Sequence, residues 1–236
     1  MDSVASRLAL AIHHVRAVSG LMVPAACLRY TRRMATRVDL RCQCGALRGV
    51  ATDIAPDQGM HIVCYCDDCQ AFARFLGRDD VLDASGGTAI FQTRPAHLGI
   101  TDGGEHLRCM RLSDKGMLRW YAGCCRTPIA NTMSSARVPF AGVITSFIAP
   151  PEGASKEKLL GPVIAKLMAK FALGQPPVDA HTTTPVSFGL RIVKFLVVGL
   201  VQGKASPSPF FDAHTRTPVV TPQVLSPAER NALRPT

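Results

Sequence analysis

Three clusters of cysteine constrain this chain more than any other feature of its sequence. Seven of the nine cysteines fall in the stretches RCQCG, CYCDDCQ and GCCRTP. An odd number of cysteines cannot pair completely as disulfides within one molecule, and a chain of 236 residues does not need such cross-links to fold. The short C-x-C and C-x-x-C spacings instead favour metal ions bound by several thiolates.

The first and last clusters together hold four thiols, which is the number that a structural zinc site requires. This four-cysteine group consists of Cys42, Cys44, Cys124 and Cys125. An ion bound there would tie the first strands to the last ones and would contribute to the free energy of folding. Neighbouring residues point to opposite sides of a regular strand, so the chain must bend at Cys124 and Cys125 if both are to bind one ion.

The middle cluster supplies a three-cysteine group, Cys64, Cys66 and Cys69. Three protein ligands and one vacant position are typical of a catalytic zinc site, so the sequence predicts two zinc ions per chain, the second of them in an open site. Cys69 falls in the first turn of a predicted helix, where backbone N–H groups favour a thiolate. The alternative is a closed structural site with His61 or Cys109 as its fourth ligand.

The segment from residue 38 to residue 150 has the pattern of short strands separated by turns, which predicts a mainly β domain of packed antiparallel sheets. One short helix is expected over 67–77, with Asp67 as its N-cap and Gly77 as its end. The expected strands are 38–42, 46–52, 61–66, 88–100, 106–113, 116–123 and 140–148.

Beyond residue 150 the period of the apolar residues becomes helical, which predicts C-terminal α-helices over 155–174 and 186–203 in a Pro-rich extension that runs to residue 236. The second helix is too short to cross a bilayer, and two basic residues interrupt it, so no transmembrane segment is expected. We expect the two helices to pack on the β domain or on a second subunit, which makes a homo-oligomer one expected state.

The formal net charge of +10 lies outside the cysteine-rich segment. Residues 38–150 hold eleven basic and eleven acidic residues, whereas the flanks are basic. A neutral central domain argues against a phosphate-binding face, so no specific nucleic-acid partner is expected. Residues 1–33 form a basic leader without clear periodicity, interpreted as dispensable or as the result of a misassigned start. Thiols kept free for metal indicate a cytoplasmic, reducing environment.

With these motifs in the order RCQCGALRG, CYCDDCQAF and CCRTPI, the sequence resembles the glutathione-dependent formaldehyde-activating family, to which centromere protein V is related. The resemblance covers residues 38–150 and implies a β-tent fold with a structural zinc on Cys42, Cys44 and Cys125. It implies a second, labile zinc on the middle triplet, where glutathione condenses with formaldehyde to S-hydroxymethylglutathione, the reverse of a carbon–sulfur lyase reaction.

The last cluster departs from the C-x-x-C-G-T-P pattern of that family. The first cysteine of the pattern falls on Ala122, so Cys124 is the expected substitute ligand and Cys109 the alternative. With its helical extension, the chain is interpreted as a distinct branch of the family. Two functions remain open: an enzyme that binds a small thiol such as glutathione at an open zinc site, and a non-catalytic, zinc-stapled binding module.

Overall fold

The computed structural model describes residues 37–234, which belong to one compact unit spanning Ala35–Thr236. The leader predicted over residues 1–33 lies outside the described residues. The strands of the described part are β1 (Val38–Arg41), β2 (Arg48–Ala51), β3 (Met60–Cys64), β4 (Thr88–Thr93), β5 (Leu98–Asp102), β6 (Leu107–Arg111), β7 (Leu118–Ala122), β8 (Pro128–Thr132), β9 (Ala141–Ile144), β10 (Ile148–Ala149), β11 (Ala165–Leu167) and β12 (Gln223–Val224). Its α-helices are α1 (Asp67–Leu76), α2 (Lys156–Leu160), α3 (Val186–Val201) and α4 (Pro227–Ala232).

The strands form two sheets, one with four strands in the order β10-β1-β2-β5 and one with eight in the order β11-β3-β4-β9-β8-β7-β6-β12. Neighbouring strands are antiparallel except at the two edges of the larger sheet, where β11 pairs with β3 and β12 pairs with β6 in parallel. The prediction of a mainly β fold with antiparallel sheets and C-terminal helices is confirmed. The parallel edge pairs were not predicted.

The main core lies between the two sheets. Leu40 of β1 and Ile148 of β10 belong to the same buried cluster as Phe91 of β4 and Trp120 of β7. Trp120 is fully buried; its ring centroid lies 4.9 Å from that of Phe210, and its Nε1 donates to Thr132 Oγ1 at 2.9 Å. Trp120 is therefore a core residue that links β7 to β8 and to Phe210.

Helices cover the other face of the larger sheet. Phe72 and Leu76 of α1 share a buried cluster with Met110 of β6, and Phe188 of α3 shares another with Ile62 of β3. Because side chains alternate between the faces of a strand, Arg119 lies on the helix side while its neighbour Trp120 lies in the core. This alternation brings Arg119 to the three-cysteine group.

The helix predicted over 155–174 is wrong beyond its first turns. Helix α2 ends at Leu160, because Gly161 adopts a φ of 75° and Pro162 follows it. The chain then forms β11, which adds an edge strand to β3 with Ala165 opposite Ile62. The second predicted helix, 186–203, is confirmed as α3. Among the described residues, no helix has both the length and the apolar character needed to cross a membrane.

Candidate metal centres

The four-cysteine group is assembled by two turns that lie far apart in the sequence. Cys42 and Cys44 follow β1, and Cys124 and Cys125 lie in the turn between β7 and β8. The Sγ of Cys44 lies 3.6 Å from that of Cys42 and 3.4 Å from that of Cys124. The Sγ of Cys124 lies 3.8 Å from that of Cys42 and 3.9 Å from that of Cys125.

These distances fit a tetrahedral metal ion. With metal–sulfur bonds of about 2.3 Å, as for zinc, four sulfurs at the corners of a tetrahedron lie about 3.8 Å apart. All four Sγ atoms of the group lie within 4.8 Å of one another, and every cysteine of the described part is free. The group could therefore hold one metal ion without a rearrangement of the backbone.

The bend that the sequence requires at Cys124 and Cys125 is present. A tight turn follows β7, in which the N–H of Arg126 donates to Ala122 O at 2.7 Å and Arg126 takes a left-handed φ of 58°. Ala122, at which the family pattern expects a cysteine, is fully buried. The structure thus places Cys124, and not Cys109, beside Cys42 and Cys44.

The three-cysteine group is built from one local junction between a strand and a helix. Cys64 ends β3, Cys66 is the N-cap of α1, and Cys69 lies in the first turn of that helix. The prediction that Asp67 caps α1 is wrong, since the Sγ of Cys66 accepts the N–H of Cys69 at 3.4 Å and Asp67 is the first helical residue. The predicted helix end at Gly77 is confirmed by its left-handed φ of 61°.

The three Sγ atoms of this group lie within 4.8 Å of one another, so a second metal ion could be held there. Cys69 is buried, whereas Cys64 and Cys66 are half-buried. Among the described residues, no histidine, carboxylate or further cysteine completes the group as a fourth member. His61 Nδ1 lies 2.9 Å from the carbonyl oxygen of Gly161, and Cys109 is enclosed in the core between the sheets.

A buried cation lies beside the three-cysteine group. Arg119 of β7 is only 3% exposed, and its Nη1 lies 4.0 Å from Cys69 Sγ and 3.2 Å from Asn131 Oδ1. Its Nη2 lies 3.8 Å from Asp68 Oδ2, and its guanidinium lies 5.5 Å from the ring centre of Phe72. No local motif in the sequence places Arg119 beside Cys69, which is 50 residues earlier in the chain.

Hydrogen bonds within each group lower the pKa of one thiol and raise that of another. Hydrogen bonds from Cys64 and Cys66, together with the charge of Arg119, hold the pKa of Cys69 well below its ordinary value. The hydrogen bonds of Cys64 with the thiols of Cys66 and Cys69 raise the pKa of Cys64, and burial raises it further. A divalent cation would be needed for all three thiols to stay ionised together, because adjacent negative charges repel one another.

The four-cysteine group behaves in the same way. Burial acts to raise the pKa of Cys125, but hydrogen bonds from the Thr127 hydroxyl and from the backbone of Cys44 and Thr127 outweigh it and lower the pKa to about 6. Burial and the adjacent thiols raise the pKa of Cys124 to about 12. Binding of a metal ion would therefore release protons from both groups.

Comparison with known proteins assigns the chain to a family but does not indicate an activity. A crystal structure of a Rhodobacter sphaeroides protein, a structural genomics target, is similar at 19% identity over 53% of this chain and 96% of that chain. Its TM-score of 0.36 is too low to support a conclusion. No curated protein matches the chain. The pattern of the family of unknown function DUF6151 matches residues 34–221, so the chain belongs to that family.

Proposed function

We propose that the chain is a zinc protein with two unlike sites, and that the three-cysteine group receives a small thiol such as glutathione. The observation that carries this proposal is the convergence of three thiols, two of them half-buried, without a fourth ligand among the described residues. The order of the cysteine motifs supports a reaction of the glutathione-dependent formaldehyde-activating type. Free thiols throughout the described part support a reducing, cytosol-like compartment.

Zinc is the metal that the donors favour, because thiolate ligands in a tetrahedral arrangement suit Zn²⁺. Four thiolates around Zn²⁺ carry a net charge of −2, and three carry −1, by the charges of the ligands and the ion. Arg119, buried beside Cys69, offsets the charge of the three-cysteine site.

The residues around the site hold it in place for a ligand. The N-cap role of Cys66 and the contacts of Arg119 with Asp68 and Asn131 fix the start of α1 against β7 and β8. A bound Zn²⁺ would lower the pKa of a substrate thiol and hold its sulfur as a nucleophile. In the proposed reaction a carbon–sulfur bond forms between the glutathione sulfur and the carbon of formaldehyde, and the thiol proton ends on the new hydroxyl oxygen.

The experiment is calorimetric titration of the zinc-loaded chain with glutathione at millimolar concentrations, with zinc release followed by a chromogenic chelator. We expect heat of binding without loss of zinc, and formation of S-hydroxymethylglutathione, seen by NMR, that is faster than without protein once formaldehyde is added. Cys66→Ser is the matched control, since serine keeps the N-cap of α1 but removes a metal ligand. Absence of heat in the parent chain would contradict the proposal.

The second candidate is the zinc-stapled binding module, and the surface of α3 favours it. Five apolar residues spaced alternately by four and three positions are exposed along this helix: Val186, Leu190, Val193, Val197 and Leu200. This spacing suits packing against a second helix, and α3 of a second copy of the chain would bury the same stripe on both sides. Light scattering measures whether the parent chain is a dimer. Leu190→Glu should convert that dimer into a monomer, because it places a charge in the apolar stripe. A parent chain that is monomeric at all concentrations would contradict the dimer.

A further inference from the structure

A second buried cation lies outside both cysteine groups. Arg94, which follows β4, is 8% exposed, and its Nε has no hydrogen-bond partner. Its guanidinium lies over the ring of Phe195 of α3, 4.5 Å from the centroid. The ion pairs that join described residues other than Asp57 do not include Arg94. Burial lowers the pKa of Arg94, which is the effect of taking a cation out of water without compensation.

Arg94 lies in the wall of a cleft of about 490 Å³ between α3 and the loop before β3. Two more cations, Arg191 and Lys194, line the same cleft from α3, three positions apart and hence on one side of the helix. One carboxylate, Asp57, also lines it, so the described side chains that line the cleft carry a net charge of +2. A volume of this size is typical of sites for small molecules.

Helix α3 is held close over Arg94 by a glycine. A side-chain carbon added at Gly199 would lie 2.9 Å from Pro139 Cβ and 3.1 Å from Arg94 Nε, so only glycine allows this approach. The ring of Phe195 and the backbone at Gly199 therefore hold the guanidinium in one position before any molecule binds. Such a fixed cation loses little conformational entropy on binding an anion.

We propose that this cleft binds a small organic molecule that carries a phosphate group, with Arg94 as the residue that contacts the phosphate. A guanidinium offers paired N–H donors that match two phosphate oxygens, and Arg191 and Lys194 supply further positive charge for a dianion. Phe195 and Met60 give the cleft an apolar wall for the organic part, and Gln58 and Gln202 offer amide groups to its polar atoms.

None of the residues that line the cleft belongs to either cysteine group. Met60, which lines the cleft, begins β3, and Cys64 ends it. Met60 and Cys64 are four residues apart on this extended strand, which is a distance of roughly 13 Å. A small molecule beside Met60 would therefore not reach the thiol of Cys64. Binding of a phosphate compound in this cleft would therefore not depend on the proposed zinc chemistry.

The test uses the full metal-loaded chain, with inorganic phosphate as the probe and chloride at equal ionic strength as the reference. Protein NMR spectra should show shifts centred on residues around Arg94 that saturate with phosphate. The double variant Arg191→Gln/Lys194→Gln, on an exposed part of α3, should weaken phosphate binding several-fold. Arg94→Met should weaken it about tenfold, since a charged hydrogen bond is lost.

The matched control is Arg108→Gln/Lys115→Gln, which removes the same charge from exposed positions on β6 and in the turn after it, and four other strands separate β6 from β3. It should leave phosphate binding unchanged. If Arg94→Met does not fold, the α3 double variant decides the question alone. Shifts that chloride reproduces, or equal weakening in the control variant, would overturn the proposal. Citrate binding as tightly as phosphate would overturn the choice of phosphate as the recognised group.

Discussion

The two cysteine groups use the same chemistry in opposite ways. The four-cysteine group joins turns that are 80 and 82 residues apart in the sequence, and two of its thiols are exposed. The three-cysteine group lies within six consecutive residues, has no exposed thiol, and has the guanidinium of Arg119 beside it. The first arrangement suits a structural link, and the second suits a site whose ligand number is incomplete.

The difference in loop length has an energetic consequence. In the chain-entropy model of a cross-link, closing a loop of 82 residues restricts the unfolded chain by roughly 4.5 kcal/mol, and closing one of six residues by roughly 2 kcal/mol. A metal ion that cross-links Cys42 and Cys124 therefore contributes more to the stability of the fold than one bound by Cys64, Cys66 and Cys69.

The largest expected effect is the difference in the free energy of unfolding between the variants Cys124→Ser and Cys66→Ser. Each variant should lose one of two zinc ions, measured by elemental analysis. Cys124→Ser should lower the free energy of unfolding by about 2 kcal/mol more than Cys66→Ser does, because it opens the longer loop. Urea denaturation of both variants in zinc-containing buffer measures the difference.

Cys109→Ala is the control for the loss of a thiol outside both groups, and it should keep both zinc ions. If Cys66→Ser unfolds the chain as completely as Cys124→Ser, the two groups do not differ in their structural role. A zinc content of zero in the parent chain would remove the comparison altogether.

A smaller effect is expected from Arg119→Met. Methionine keeps most of the buried volume but removes the cation beside Cys69, so the negative charge of the three-cysteine site loses its compensation. We expect about a tenfold lower affinity for the second zinc ion, as is usual for residues that support metal ligands. Competition with a chelator of known affinity measures it.

Arg111→Met, a change of the same kind on the neighbouring strand β6, should leave both affinities unchanged. The four-cysteine group should also keep its affinity in Arg119→Met, which makes it an internal reference. Equal weakening of both sites would mean that Arg119 acts on the whole fold and not on the three-cysteine group.

The smallest expected effect concerns His97, which belongs to neither group. Burial lowers the pKa of His97, and the positive charges of Lys204 and Arg94 lower it further. Asp53 partly offsets this decrease, since its Oδ2 lies 3.6 Å from His97 Nε2. The unfolded chain then binds more protons than the folded chain as the pH falls below about 6.5, so stability decreases there. In His97→Phe this part of the decrease should be absent.

Urea midpoints of the parent chain and of His97→Phe are compared at pH 7.5 and pH 5.5. Acid also protonates the cysteine ligands, but this loss of stability is common to both proteins, so the difference between them measures the effect of His97. The control His181→Phe, at an exposed position, should lose as much stability as the parent chain. If His97→Phe loses as much as the parent, the metal sites alone carry the pH dependence.

The sequence was sufficient for features that depend on local patterns. Alternating apolar residues predicted most strands, and Gly77 predicted the end of α1. The grouping of cysteines into four and three followed from spacing alone, and the structure places those side chains together. The metal roles assigned to them stay predictions.

Features that depend on tertiary contacts were beyond the sequence. The apolar positions of 165–167 fit a helix equally well, and the free edge of β3 decides that they form a strand. Strand β8 was missed because all five of its residues are buried, so it lacks alternation. Arg119 reaches Cys69 only because β7 lies beneath α1, and Arg94 is buried only because α3 lies over it.

The order of the cysteines along the chain also sets an order in time during synthesis. The three-cysteine group is complete once Cys69 has been made, whereas the four-cysteine group must wait for Cys125, 56 residues later. At about 5–20 residues per second the delay is roughly 3–11 s. The local site would therefore be the first that a nascent chain could offer to a metal ion, and an ion that linked the distant turns could bind only after the strands between them had been made.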